Sequence, residues 1–276
     1  MLSAPASSPD HAPVVVEAQR EVAAWLARLR PTICDRLIQE QPALLLGSDM
    51  ALQDNQGRAL LVDRLLAQYA EGTRHTYDWQ HEHYRGLAHP GLAEQLRPFL
   101  RDKSQRSVAR EVAICVAWGC EEHGSVDDII SIATSSDESS ELRTLAVRGL
   151  VEWANGATLE QLRPLAQLDE KADPSDDIAG LVLRALWSHG LLSPADAIRH
   201  LRPPRRLNYL GAYYSLHDFL AKTWLPDALP AALEWAAQQP QLSRLADGTG
   251  RLVLKFAQLA ASHLDIPGVL PTLARL

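Results

Sequence analysis

The sequence predicts an all-α chain, with helix pairs stacked as a right-handed α–α superhelix behind an N-terminal helical cap. Three observations carry that expectation. From about residue 13 onward, apolar residues recur at spacings of three and four, the period of an amphipathic helix. No alternating polar–apolar run of convincing length occurs, and no hairpin turn joins two such runs. Beyond residue 87 the helical segments resemble one another at offsets near 33–36 residues.

Composition sets the frame. A chain of 276 residues, 46% hydrophobic and 22% charged, is a folded chain long enough to bury a large core. A net charge of −7 speaks against a nucleic-acid surface. Cys34, Cys115 and Cys120 form no CxxC pair and leave one thiol over, which fits free thiols in a reducing compartment. The opening "MLSAPASSPDHAP" lacks the basic start and continuous apolar core of a secretion signal, so residues 1–12 are expected to be a disordered lead-in. No segment reaches the roughly 18 uninterrupted apolar residues of a membrane span. The expectation is a cytoplasmic protein with no membrane partner.

Residues 13–86 are expected to form the cap. In "VVVEAQREVAAWLARLR", Val14, Val15, Ala18, Val22, Trp25, Leu26 and Leu29 make an apolar stripe that should face the core. Pro31 suits the first turn of a second helix, "PTICDRLIQEQ", because its missing N–H has no intrahelical partner there. "GRALLVDRLLAQYAEG" is a third helix, closed by Gly72.

The stretch "RHTYDWQHEHYRGLAHPGL" holds four histidines, His75, His81, His83 and His89. If helical, it places His75, Trp79 and His83 along one side, with the outer two roughly 12 Å apart along the axis. Ligands of one zinc ion must converge to about 2 Å from it. The "HEH" order is not the H-E-x-x-H of a metalloprotease helix. If extended, His81 and His83 share a face with no third ligand evident. His89 precedes Pro90, which biases it out of the helical region. The stretch is therefore expected to be a connector that packs the junction, and no metal or cofactor is assigned.

Residues 87–276 are expected to hold about five helix pairs. "AREVAICVA" (109–117) aligns with "LRTLAVRGL" (142–150) at an offset of 33, which places Arg110 on Arg143 and Ala113 on Ala146. "LAVRGLV" (145–151) aligns with "LVLRALW" (181–187) at 36, and "LVLRA" with "LVLKF" (252–256) at 71, about two repeats. "YYSLHDFLAKTWL" (213–225) sits near the expected place but matches poorly. Shorter, more polar helices precede each apolar one. Such periods mark an α-solenoid of HEAT or armadillo type, with nearly all-apolar inner helices and amphipathic outer ones.

"RPTICDRLIQEQPALLLGSDMALQDNQGRALLVDRLL" (30–66), followed by "YRGLAHPGLAEQLRPFL" (84–100), resembles the helical region downstream of the ATPase core in bacterial NACHT-type (STAND) NTPases. The pieces that carry the resemblance are the Pro-containing helix, "LL" followed by Asp49, the helix led by Arg58, and "LAHPGL"; it covers about residues 20–190. Those proteins are related to NOD-like receptors, and many act in antiphage defence. The resemblance implies a sensor or scaffold part of a larger machine, with a protein partner or an associated NTPase domain. There is no G-x-x-x-x-G-K-[ST], and "DGTGRLVLK" (247–255) has the wrong length for one, so any NTPase core would lie outside this sequence. No nucleophile elbow and no zinc-finger spacing occurs either.

Cations supply the candidate binding residues. Arg148, Arg184 and Lys255 occupy matching repeat positions. They make either a ladder between repeats or a stripe along a binding face. Arg184, the one charge in "IAGLVLRALW", must reach water or meet a neighbouring carboxylate. Arg202, Arg205 and Arg206 lie in "RHLRPPRRL" (199–207), whose two prolines and five cations, counting His200, suggest an exposed loop able to touch phosphate. Trp118, Trp153 and Trp187 do not hold one register and are expected in the core. The function expected is a non-catalytic protein-interaction module. The alternatives are a HEAT-like DNA-binding or glycosylase-type enzyme, or a standalone scaffold.

Overall fold

The computed structural model describes residues 19–47, 54–74, 80–206, 210–239 and 248–275. Those residues form helices and connecting turns with no strand, as the periodicity predicts. No helix among them is long and apolar enough to cross a membrane. The lead-in 1–12, Val14, Val15, Ala18 and the first histidine of the cluster, His75, lie outside the described residues. By its contacts the chain divides into two compact units, Met1–Ile129 and Ile130–Leu276.

The first unit begins with α1 (Arg20–Leu29) and α2 (Pro31–Glu40), which starts at its proline as expected. A 3-10 turn at Pro42–Leu45 follows. Helix α3 (Asn55–Glu71) is capped at both ends. Asp54 accepts a hydrogen bond from the Gly57 N–H at 2.6 Å, and Gly72, at φ +76°, donates its N–H to the Gln68 and Tyr69 carbonyls. A 3-10 turn at His81–Leu87, α4 (Leu92–Arg101) and α5 (Ser107–Gly119) complete the packing. Helix α5 is buried on nearly every side because α3, α4 and the His81–Leu87 turn surround it. Helix α5 thus packs on α3 and on the His81–Leu87 turn as well as on α4.

Helix α1 corrects one expectation. Its buried residues are Ala23, Ala24 and Ala27, while Val22, Trp25 and Leu29 are 47%, 51% and 54% exposed. Two apolar faces overlap on this short helix. The alanine face is the one that lets α1 approach α2 and the Pro42–Leu45 turn closely. Beside it a cavity of about 440 Å³ opens between α1, α2 and the start of α3, lined by Ala27, Pro31, Cys34, Ile38, Gln56 and Leu60 among others. Burial, Asp35 and Asp54 push the Cys34 thiol above its ordinary pKa.

Helix α6 (Val126–Thr134) spans the division between the units. The second unit then runs α7 (Ser140–Trp153), α8 (Gly156–Leu162), α9 (Asp177–Ser188), α10 (Pro194–His200), α11 (Ala212–Thr223), α12 (Leu229–Ala237), α13 (Gly248–Ala261) and α14 (Val269–Leu273). Short and long helices alternate as the sequence predicts. The even-numbered α4 to α12 have 10, 9, 7, 7 and 9 residues, against 13, 14, 12, 12 and 14 in the odd-numbered α5 to α13. In this unit α9 packs on α7, α11 on α9 and α13 on α11, making one layer. Helices α10, α12 and α14 make a second run of neighbours. The closest approach is between α9 and the start of α11. A Cβ at Gly180 would overlap the backbone of Ala212 and Tyr213, so only glycine fits.

Candidate functional site

The three described histidines of the cluster, His81, His83 and His89, each have a packing role. His81 stacks on Trp118 with ring centroids 3.8 Å apart, and its carbonyl lies where a Cβ of Gly119 would be. The His83 carbonyl accepts the Gly47 N–H at 2.8 Å, and its ring lies against that glycine. His89 Nδ1 accepts the Gly91 N–H at 3.2 Å, just ahead of α4. The segment from His81 is a 3-10 helix, neither the α-helix nor the extended strand weighed from sequence. Among the described residues no three His, Cys, Asp or Glu side chains are grouped to hold a metal ion. Trp118 is buried, and Trp187 is half-buried, stacked on Trp224 and donating its indole N–H to Thr223 Oγ1 at 3.0 Å. Cys120 donates its thiol to the Tyr84 carbonyl, and burial raises its pKa to about 12.

Two arginines outside the candidate set turn out to be structural. Arg110 donates from Nη2 to the Leu100 carbonyl at 3.3 Å, and Arg143 donates from Nε to the Ala133 carbonyl at 3.1 Å. Both donors and both acceptors are related by the 33-residue offset. The last carbonyls of a helix have no intrahelical donor, so each buried guanidinium completes the end of the short helix before it. Arg143 reaches the Ala172 carbonyl as well, at 2.9 Å.

The loop reading of Arg202 and Arg205 is overturned by Asp176, which is 1% exposed and sits at φ +62°. Its carboxylate receives both terminal nitrogens of Arg202, at 2.5 and 3.0 Å, and the Arg205 backbone N–H at 2.7 Å. The Arg205 guanidinium lies 3.0 Å from the same carboxylate and donates to the carbonyls of Leu168, Asp169 and Asp173. Arg202 also lies over the Tyr213 ring at 4.6 Å. A buried carboxylate needs such partners, and the proline-rich loop supplies them. Arg206 alone of the three is exposed. The residues that sequence reasoning missed are therefore the carboxylates Asp173, Asp176 and Asp177. Asp177 accepts the Ala212 N–H at 2.7 Å, and Asp173 accepts the Ala179 N–H at 2.9 Å. Burial raises the pKa of Asp173. The spacing of three acids ahead of an apolar helix was the available signal.

Arg148, Arg184 and Lys255 behave differently. All three are exposed, on α7, α9 and α13. Arg184 reaches water, one of its two expected outcomes, and lies 4.9 Å from the centroid of Phe219 on α11. Phe219 follows Arg184 by 35 residues and precedes Lys255 by 36, so it fills the same repeat position in the poorly matching helix. By sequence offset the four helices of the layer carry Arg148, Arg184, Phe219 and Lys255 at equivalent positions.

No family model matches the chain, and neither a curated protein nor a solved structure does.

Proposed function

We propose that the chain is a non-catalytic helical-repeat protein-interaction module, whose second unit is a HEAT-like right-handed α–α array. The observation that carries this reading is the layer α7–α9–α11–α13, buried on most sides yet presenting one repeated register to solvent. The alternation of short and long helices supports it, as do the matching roles of Arg110 and Arg143. An array of this kind offers an extended surface built from equivalent positions, suited to a protein segment. Following the resemblance of residues 30–100, the module serves as the sensor or scaffold part of a NACHT-type NTPase system, in the cytoplasm, with the NTPase domain as its associated partner.

The test is in-cell crosslinking of the tagged full-length protein, followed by mass spectrometry. A reproducible protein partner is expected, with a P-loop NTPase domain in the same chain or the same complex. Capture of no partner would remove the support for an interaction module. A partner without any NTPase domain would leave a standalone scaffold. Tight, salt-sensitive binding to duplex DNA would move the assignment to the DNA-binding alternative.

A further inference from the structure

We infer that the exposed register of α7, α9, α11 and α13 is a docking surface for an acidic segment of a partner protein that also carries aliphatic or aromatic side chains. This rests on the interaction-module reading and adds the place and the chemistry of the partner.

The charge of this layer differs from that of the chain. Its exposed cations are Arg148, Arg184, Lys222, Arg251 and Lys255. Its exposed carboxylates are Glu141, Glu152 and Asp218. The surplus is positive on a chain whose net charge is −7. The pairing differs as well. Elsewhere several exposed or half-buried cations meet carboxylates, as Arg163 does with Glu160, Arg199 with Asp196 and Arg101 with Asp128. Among the described residues none of the five layer cations lies in an ion pair.

Two of them rest on rings instead. Arg184 lies over Phe219 and Arg251 lies 5.6 Å from the centroid of Tyr214, both rings belonging to α11. A guanidinium placed over an aromatic ring keeps N–H groups free for a carboxylate and has already lost part of its rotamer freedom. Binding then costs less in ordering than it would for two free arginines. Apolar surface lies on the same helices. Leu254 is 45% exposed between Arg251 and Lys255, and Phe219 is half-buried beside Arg184. Uncompensated cations, guanidinium groups placed over rings and interleaved apolar side chains complement an acidic segment with apolar anchors. They do not complement a basic or a uniformly neutral one.

The experiment is selection of a random peptide library on the immobilised full chain, with the selected peptides measured by fluorescence anisotropy. Peptides rich in Asp and Glu with at least one aliphatic or aromatic residue are expected, with affinity falling as salt rises. The triple variant Arg148→Glu, Arg184→Glu, Lys255→Glu is expected to weaken them by about a hundredfold, with an unchanged circular-dichroism melt because all three side chains are exposed. Selection of neutral or basic peptides would overturn the inference. So would acidic peptides that bind the triple variant as well as the wild type, or a labelled oligonucleotide that displaces them in preference. A crosslinked cellular partner that the triple variant retains at full affinity would overturn this surface while leaving the interaction module standing. Failure of both the selection and the crosslinking would remove both.

Discussion

The leading ends of α5 and α7 and the leading ends of α9 and α11 meet the same requirement with different residues. Helices α5, α7 and α11 each follow a short helix whose final carbonyls need donors, and α9 follows a loop whose carbonyls need them too. At α5 and α7 a single buried arginine, Arg110 or Arg143, reaches back to the preceding helix. At α11 the reach is made by Tyr213, whose hydroxyl donates to the His200 carbonyl at 2.6 Å. Ahead of α9 the carbonyls of Leu168, Asp169 and Asp173 are served from further along the chain, by Arg205. Local arginines can be replaced by a network when a carboxylate, Asp176, is there to hold the incoming cations. The sequence repeat decays where this happens, while the alternation of short and long helices persists.

The network end should be the more fragile of the two, and Asp176→Ala should have the largest effect. It leaves two partly buried guanidinium groups without their carboxylate, at a cost of about 3–5 kcal/mol in denaturant unfolding. A loss below about 1 kcal/mol would show that solvent compensates Arg202 and Arg205 and that the network is peripheral. Next comes Gly180→Ala, which forces backbone apart between α9 and α11 and should cost about 2–3 kcal/mol.

Arg143→Met isolates the single-arginine solution. It leaves the Ala133 and Ala172 carbonyls without their donor and should cost about 1–3 kcal/mol, whereas Arg148→Met, one and a half turns on, should stay within about 0.5 kcal/mol. Equal losses at the two positions would mean that the outward cations are also structural, the ladder alternative of the sequence.

The smallest effect distinguishes the two ends by pH. Burial raises the Asp173 pKa in the folded protein, with Asp176 adding to the rise and the Ala179 and Ile178 N–H groups and Arg205 opposing it. The folded state therefore favours the protonated acid. Asp173 contributes stability that is fully present below its ordinary pKa of 3.8 and is lost as pH rises through the raised value. Asp173→Asn should flatten the unfolding free energy across that window relative to wild type. An unaltered pH profile would show that the carboxylate ionises as freely folded as unfolded.

Much of the fold was legible in the chain because helix periodicity is a local property. Pro31 starting α2, Gly72 closing α3 and the order of short and long helices all follow from chemistry within a few residues. The 33-residue match of Arg110 to Arg143 was legible too, although its meaning was not. What an arginine does at that position depends on a carbonyl ten residues away in sequence and brought close only by packing. The candidate surface was half legible. Arg148, Arg184 and Lys255 aligned by pattern, whereas Phe219 joined them only when α11 was seen between α9 and α13.

By itself the sequence determined that this is a helical chain, where most helices begin and end, and which helices are apolar enough to need cover. Only the tertiary structure decided which of two apolar faces α1 buries, that Arg202 and Arg205 turn inward to Asp176, and that the segment from His81 packs against Trp118 and Gly47. The reason is common to all three. Periodicity fixes the direction of a side chain relative to its own helix, but burial and charge pairing are set by neighbours far away in sequence.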